Sequence, residues 1–334
     1  MAGTIKRREF AALLAGAALT ATRAAWAQAP QPMRRIAMIL GLEEGDPEAK
    51  ARIKAFRLGL RDLGWIEGRN IEVVYRFPGS NLAAIEKQVG EAIALAPELI
   101  VAVSSPIVLA LRRAKPPIPI VFINVTDAVG QGFITNIAHP GGNLTGFSFI
   151  EPEIVGKWVD LLREIKPDVA RVGVIFNPDT APFFDRYFRS FKAQPRQPAV
   201  DLDVMHVRSV ADIEQAVAKT GREPAAALIA PSDIFILQAR DTVLRSAEKY
   251  RLPVISPYRQ FVVEGCLVSY GPDTGDIARR AASYVDRILK GEQPGNLPVQ
   301  SPVRYELAIN LKTAKALGLT ITDSFLELAD EVIE

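Results

Sequence analysis

The chain has 334 residues, about twice the ~150 of a common domain, so two domains or one large one is expected. Hydrophobic residues make up 49% and charged residues 23%, enough apolar material for a packed core, which excludes disorder over most of the length. The net charge of +2 comes from the first 27 residues, where Lys6, Arg7, Arg8 and Arg23 face only Glu9; the rest, with 36 basic and 37 acidic residues, is too neutral for a nucleic-acid surface. One cysteine, Cys266, excludes an intramolecular disulfide. With only two histidines, His139 and His206, it also excludes a Cys/His zinc site, and neither metal nor cofactor is expected.

The chain opens on Lys6-Arg7-Arg8-Glu9-Phe10, an apolar stretch from Ala11 to Ala21, and Ala25-Trp26-Ala27. A charged segment, a short apolar run and a small-x-small site predict an export signal over residues 1–27, cleaved after Ala27, and a periplasmic protein. Arg7-Arg8 before Glu9-Phe10 is twin-arginine-like. The apolar run falls short of the ~20 residues of a membrane span, and no later run approaches that length, so the chain is not expected to span a membrane itself.

After a Gln/Pro-rich spacer, Gln28–Pro32, short apolar runs alternate with helical spacings. A strand is predicted at Arg35–Leu40, ending at Gly41. A helix follows with Ile53, Phe56, Leu60 and Leu63 on one face and Gly64 as its stop. Next come a strand at Ile71–Tyr75, a helix carrying Leu82, Ile85, Val89 and Ile93, a strand at Leu99–Val103, a short helix from Pro106 and a strand at Ile118–Ile123. A second start at Arg171–Asn177 repeats this form, with strands at Leu202–His206, Ala226–Ala230 and Leu252–Ile255. Helices between them carry Val210, Ile213 and Val217, then Ile236, Val243 and Ala247. Cys266–Tyr270 reads as a strand, followed by a helix to Leu289, a Pro/Gly-rich loop, a strand and a last helix. Continuous apolar strands between helices predict parallel sheets buried on both faces, and two such units predict two doubly wound α/β lobes.

In open parallel sheets ligands bind beyond the carboxyl ends of the strands. The candidate loops are therefore Gly41–Asp46, Arg76–Phe77, Ser104–Ser105, Asn124–Asp127, Asn177–Thr180, Pro231–Asp233, Ser256–Tyr258 and Tyr270–Asp273. Ser104-Ser105-Pro106 reads as an N-cap before a helix, and the same terminus offers N–H groups and hydroxyls to a carboxylate. Asp127 and Asp233 are loop or cap aspartates, or partners for a ligand ammonium. Tyr258 and Tyr270 end strands, placed for stacking or rim packing.

Chemistry-bearing motifs are lacking. There is no phosphate-cradling Gly-Lys loop, and Gly130-Gln131-Gly132 lacks the third glycine of a dinucleotide fingerprint. No nucleophile elbow is present; His139, His206 and the apolar-strand Cys266 read as structural. This pattern predicts binding without catalysis.

Several stretches carry a family likeness. They are Phe56-Arg57-Leu58-Gly59-Leu60, Gly64-Trp65-Ile66-Glu67-Gly68-Arg69-Asn70, Ile118-Pro119-Ile120-Val121-Phe122, Pro140 to Phe147, Phe176 to Pro182 and Ser269-Tyr270-Gly271-Pro272-Asp273. Val285 to Gly291, Asn310 to Lys315 and Ala329 to Glu334 complete them. The sequence resembles substrate-binding proteins of ABC transporters, in the family that includes tryptophan-binding members, with the type I periplasmic-binding-protein fold.

The resemblance implies two lobes joined by a three-stranded hinge. The first would comprise residues 33–148 plus 267–297, the second 149–266 plus 298–334. It implies ligand contacts at Ser104, Ser105, Thr126 and Asp127 in the first lobe and Asn177, Asp233 and Tyr258 in the second, with Tyr270 at a crossing. Where the family has a proline after that first aspartate, this chain has Ala128. The implied function is the extracytoplasmic component of an importer, binding a small carboxylate or amino-acid-like ligand, aromatic ones included, and delivering it to permease subunits in the membrane. A ligand-sensing module for a membrane receptor is the alternative; an exported α/β enzyme would need a nucleophile–base pair that the sequence does not supply.

Overall fold

The computed structural model describes residues 33–193 and 200–334; the expected export signal and the Gln28–Pro32 spacer lie outside them. Two sheets organise the chain. The first contains β1 (Arg34–Leu40), β2 (Ile71–Arg76), β3 (Leu99–Val103), β4 (Ile120–Val125) and β5 (Leu144–Ser148), all parallel in the order β2-β1-β3-β4-β5. Helices α1 (Pro47–Asp62), α2 (Leu82–Ala94) and α3 (Ser105–Ala114) connect its strands.

The second sheet has β6 (Arg171–Phe176), β7 (Asp201–His206), β8 (Ala226–Ile229), β9 (Val254–Ser256), β10 (Val268–Pro272), β11 (Tyr305–Asn310) and β12 (Glu331–Ile333). Its order is β12-β11-β10-β9-β8-β6-β7, parallel except for the antiparallel β10/β11 pair. In this half lie α4 (Ile154–Ile165), α5 (Phe184–Lys192), α6 (Val210–Gly221), α7 (Ile234–Gln238), α8 (Arg240–Lys249) and α9 (Arg259–Val263). After β10 come α10 (Thr274–Leu289), a 3-10 turn (Pro294–Asn296), then α11 (Leu311–Leu317) and α12 (Asp323–Leu326).

The protein is thus an α/β structure of two parallel-sheet lobes, the fold class expected. Central strands β3 and β4 are buried at every position, as strands covered by helices on both faces must be. Helix α10 packs across α1 at Gly59, where a Cβ would stand 2.4 Å from the Arg279 carbonyl oxygen, so only glycine permits the approach.

Lobe boundaries differ in two places from expectation. The strand Val268–Pro272, expected in the first lobe from Leu267 onward, pairs with β9 and β11 and belongs to the second sheet. The chain crosses back only at Asp273, which caps α10 through Gly275 and Asp276 N–H. At the other end the first lobe extends past Leu297: Gln300 N–H donates to Gly146 O and Ser148 N–H to Gln300 O, so this segment lies along β5 before the chain enters β11. The crossings after β5 and β10 and ahead of β11 make three connections between the sheets.

Five elements were not anticipated as such, β5, α4, α5, α9 and β12, and the single last helix expected is two, α11 and α12. The single helix expected across Ile236 and Ala247 is two, broken at Ala239. The break re-aims α8 so that Arg240 reaches the first lobe.

Candidate functional site

The carboxyl ends of both sheets face one another. In the first lobe β1 ends at Gly41, where a Cβ would meet Ser104 Oγ at 2.8 Å and Ile234 Cδ1 of the second lobe at 3.1 Å. Ser104 follows β3 with φ +107; its hydroxyl makes no cap bond to α3, contrary to the N-cap expectation, and is buried without a partner. Asn124, at the end of β4 beside it, also has positive φ (+55), and neither amide atom has a partner. Asp127 is the third residue in this row with positive φ, at +54. Three non-glycine residues thus hold a costly backbone conformation at adjoining strand ends, as residues around ligand sites often do.

Ser105 and Thr126 are brought together by Gln131, whose Nε2 donates to Ser105 Oγ (3.0 Å) and to Thr126 O (2.6 Å). Both are buried. Asp127 turns inward on its own loop, accepting from Gly130 N–H (3.0 Å), and its other oxygen pairs with Arg186 of the second lobe.

In the second lobe Asp233 is 1% exposed. Thr180 Oγ1 donates to it at 2.5 Å, Asn177 N–H at 2.6 Å and Phe235 N–H at 2.9 Å, so it ties the β6 loop to the start of α7. Burial dominates these donors and raises its carboxyl to about 6. Asn177 uses its side-chain oxygen on Asp179 N–H. Ser232, next to Asp233, keeps a buried hydroxyl with no partner. Tyr258 stacks on Phe149 with centroids 5.5 Å apart, and burial pushes its phenol well above the usual range. Tyr270 sits in a different place, stacked on Tyr305 (5.7 Å) beneath Lys157 at the hinge.

Side chains join the lobes directly. Arg240 donates to Asp46 (2.6 Å) across the cleft and to Glu264 (2.8 Å) on its own side. Gln238 accepts from Ser80 N–H (2.9 Å) and donates to Glu43 (2.6 Å). Arg52 of α1 lies 5.7 Å from the Tyr258 ring centroid, donating through Nε to Glu48 (2.8 Å), with Nη2 buried and unpartnered. Asn124, Ser232 and Arg52 were not among the expected contacts. A strand-end position marked the first two; nothing local marked Arg52, since the sequence shows only a basic residue within a helix.

A groove lies elsewhere on the first lobe, between α1 and residues Trp65, Tyr75 and Phe77. Its central polar side chains are matched to one another or to neighbours: Arg57 donates to Tyr75 OH and Glu67, and Trp65 Nε1 to Asp286. None of its lining residues has a buried polar atom without a partner, whereas the cleft has such atoms on Arg52, Arg76, Ser104, Asn124 and Ser232. Unmet hydrogen bonding therefore favours the cleft as the place of recognition.

Cys266 is buried, its Sγ 3.0 Å from Val254 O and its thiol pushed up to about 12. His206 contacts Asp185 at 2.9 Å on the surface. Among the described residues no His/Cys/Asp/Glu group is placed to hold a metal ion, and no helix is long and apolar enough to cross a membrane.

Known proteins share this architecture. A tyrosine-binding protein of Clostridioides difficile (strain R20291) is 25% identical over 267 residues, covering 80% of this chain and 76% of the relative. A conserved domain protein from Vibrio cholerae O1 biovar eltor is 29% identical, with a TM-score of 0.82, over 90% of this chain and 99% of that one. The ABC domain from Streptococcus pneumonia in complex with L-Trp is 23% identical, TM-score 0.81, over 90% of this chain and all of that one. The model of the ABC transporter substrate binding protein family matches residues 36–333, and the chain belongs to that family.

Proposed function

We propose that the protein is the extracytoplasmic solute receptor of an ABC importer, binding a small carboxylate or amino-acid-like ligand between its lobes and carrying out no chemistry on it. The supporting observation is the convergence of buried, unpartnered polar side chains from both lobes on the strand ends: Ser104, Asn124 and Arg52 from one, Ser232 from the other. A ligand that completes those bonds binds the closed form more tightly than the open one, which is all that hinged closure requires. The closed receptor then delivers its ligand to permease subunits in the membrane.

A relative named for tyrosine and a structural neighbour holding L-Trp support an aromatic, amino-acid-like ligand. Of the expected contacts, Ser104, Ser105, Thr126, Asn177 and Tyr258 are proposed to face it directly. Asp127 and Asp233 are proposed to shape the loops, given their bonds within the protein. Tyr270, in its hinge stack, is proposed to guide closure rather than touch the ligand. Residues 1–27 are proposed to direct export to the periplasm.

Isothermal titration of the mature protein with amino acids and aromatic acids tests the reading. Saturable binding to at least one, with a more compact particle in small-angle scattering, is expected. Silence across the panel overturns it.

A further inference from the structure

We infer that Arg52 receives the ligand's carboxylate and that Glu48 positions it, an assignment that rests on the cleft being the ligand site. Arg52 is 2% exposed, on the second turn of α1 behind the β1 strand end. Its guanidinium is held from one side: Nε donates to Glu48 Oε1 at 2.8 Å, and Glu48 in turn accepts from Thr274 Oγ1 at 2.7 Å, at the start of α10. The far nitrogen, Nη2, has no acceptor. An N–H of a permanently charged group left unpaired in the interior is costly, more so than an unpaired hydroxyl. Arg52 therefore carries the strongest unmet demand for an anion in the cleft.

Its surroundings place that demand between the lobes. The guanidinium stands 5.7 Å from the Tyr258 ring, which closes from the second lobe and stacks on Phe149. After burial, Arg52 acts most strongly on the Tyr258 phenol, by its charge and as a hydrogen-bonding neighbour, with Glu48 and Asp233 next, so these groups share one neighbourhood. The other cleft cations are wholly or partly taken. Arg240 is held by Asp46 and Glu264, and Arg186 by Asp127. Arg76 keeps an unpartnered Nε but turns Nη1 to the Tyr75 carbonyl, and it is less buried. Ser104, Asn124 and Ser232 add neutral donors, so a carboxylate has one charged anchor and several dipolar ones.

The Glu48–Arg52 pair, at i and i+4 and buried, does more than neutralise charge. With Glu48 fixed by Thr274, the guanidinium plane is fixed too, and Nη2 is presented without a rotamer search. Thr274 sits just past the second crossing, so the anchor is braced against the hinge.

The test compares acids with their primary amides, which keep shape and lose the negative charge. The probes are L-tryptophan with L-tryptophanamide, L-tyrosine with L-tyrosinamide, and indole-3-acetate with indole-3-acetamide, titrated calorimetrically into the mature protein. A hydrogen bond to a charged group is worth ~1.5–3 kcal/mol, so the acid that binds is expected to outbind its amide by about 10- to 150-fold. In Glu48→Gln/Arg52→Met, which removes both charges together and strands neither, that ratio is expected to fall to within about threefold. Glu48→Gln alone keeps the cation and is expected to leave an intermediate ratio. Because the readout is a ratio within one protein, a general loosening of the variant does not mimic it. Equal affinity for acid and amide in the unaltered protein overturns the assignment. So does a ratio that survives loss of Arg52. Silence of every probe overturns the cleft reading itself, and the assignment with it.

Discussion

Asp233 gives the sharpest test of how burial and hydrogen bonding balance at the β8 strand end. Three donors favour its ionised form, and loss of water disfavours it; the second effect is the larger, raising the carboxyl from 3.8 to about 6. The folded protein therefore holds this proton over a range where the unfolded chain has lost it. Between pH 4 and 6 the folded state binds more protons, so stability falls as pH rises through that window. The gain is full below the unfolded value and gone above the folded one. At about 1.4 kcal/mol per pH unit, the span corresponds to about 3 kcal/mol.

Asp233→Asn supplies the reference, since it cannot titrate there and keeps the volume. Urea unfolding of both proteins from pH 4 to 7.5 gives a difference from which every other titrating group cancels. The stability of the parent relative to the variant is expected to drop by about 2 kcal/mol from pH 4 to 7, most of the full span, with its midpoint between pH 4 and 6. A flat difference would mean that the donors from Thr180, Asn177 and Phe235 offset burial. A difference rising with pH would mean that they exceed it. Either result refutes the reasoning.

Two further perturbations follow from the geometry. Gly146→Ala places a Cβ 2.0 Å from the Phe122 carbonyl oxygen, backbone that cannot yield without breaking the β4/β5 pairing; a loss of more than ~3 kcal/mol is expected, read as a lowered Tm, and an unchanged Tm counts against the strand geometry. Arg240→Met strands Asp46 and Glu264 at the lobe junction; the population of closed molecules is expected to fall, seen as a larger radius of gyration without ligand, and breaking so buried an ion pair costs ~3 kcal/mol. Unchanged scattering would show that the pair does not latch the lobes.

Fold class was legible because the buried strands declare themselves. Ile36–Leu40, Leu99–Val103 and Val172–Phe176 are continuous apolar runs that only a sheet covered on both faces can use. β5 was not, because Leu144-Thr145-Gly146-Phe147-Ser148 has too few apolar residues, and its place comes from pairing with β4 and Gln300. In contrast α4 and α5 had readable signals, Val155/Trp158/Val159/Leu162 and Phe184/Tyr187/Phe188/Phe191 at helical spacing. The lobe assignment of Val268–Pro272 was beyond sequence, since an apolar strand pairs equally well on either side of a crossing. Strand-end logic located Ser104 and its neighbours; it could not reach Arg52, whose importance depends on Tyr258 and Thr274 arriving from two distant segments at the Glu48–Arg52 pair.

Closure is set by a contest between two kinds of contact. Bringing the lobes together forms the Arg240–Asp46 pair and the Gln238 bonds to Ser80 and Glu43, the bonds to charged groups contributing ~1.5–3 kcal/mol each and the Ser80 bond less. The same movement buries polar atoms of Arg52, Ser104, Asn124 and Ser232, and each one left without a partner costs ~1–3 kcal/mol. Gain and cost are of similar size, so the latches alone leave open and closed forms in balance, and a ligand acts by supplying acceptors and donors to those atoms. Shifting the equilibrium from 1:99 to 99:1 requires ~5.5 kcal/mol of differential affinity, which a few such groups can provide together. Selectivity and closure are then one property, because a molecule that fails to satisfy Arg52 also fails to keep the lobes together.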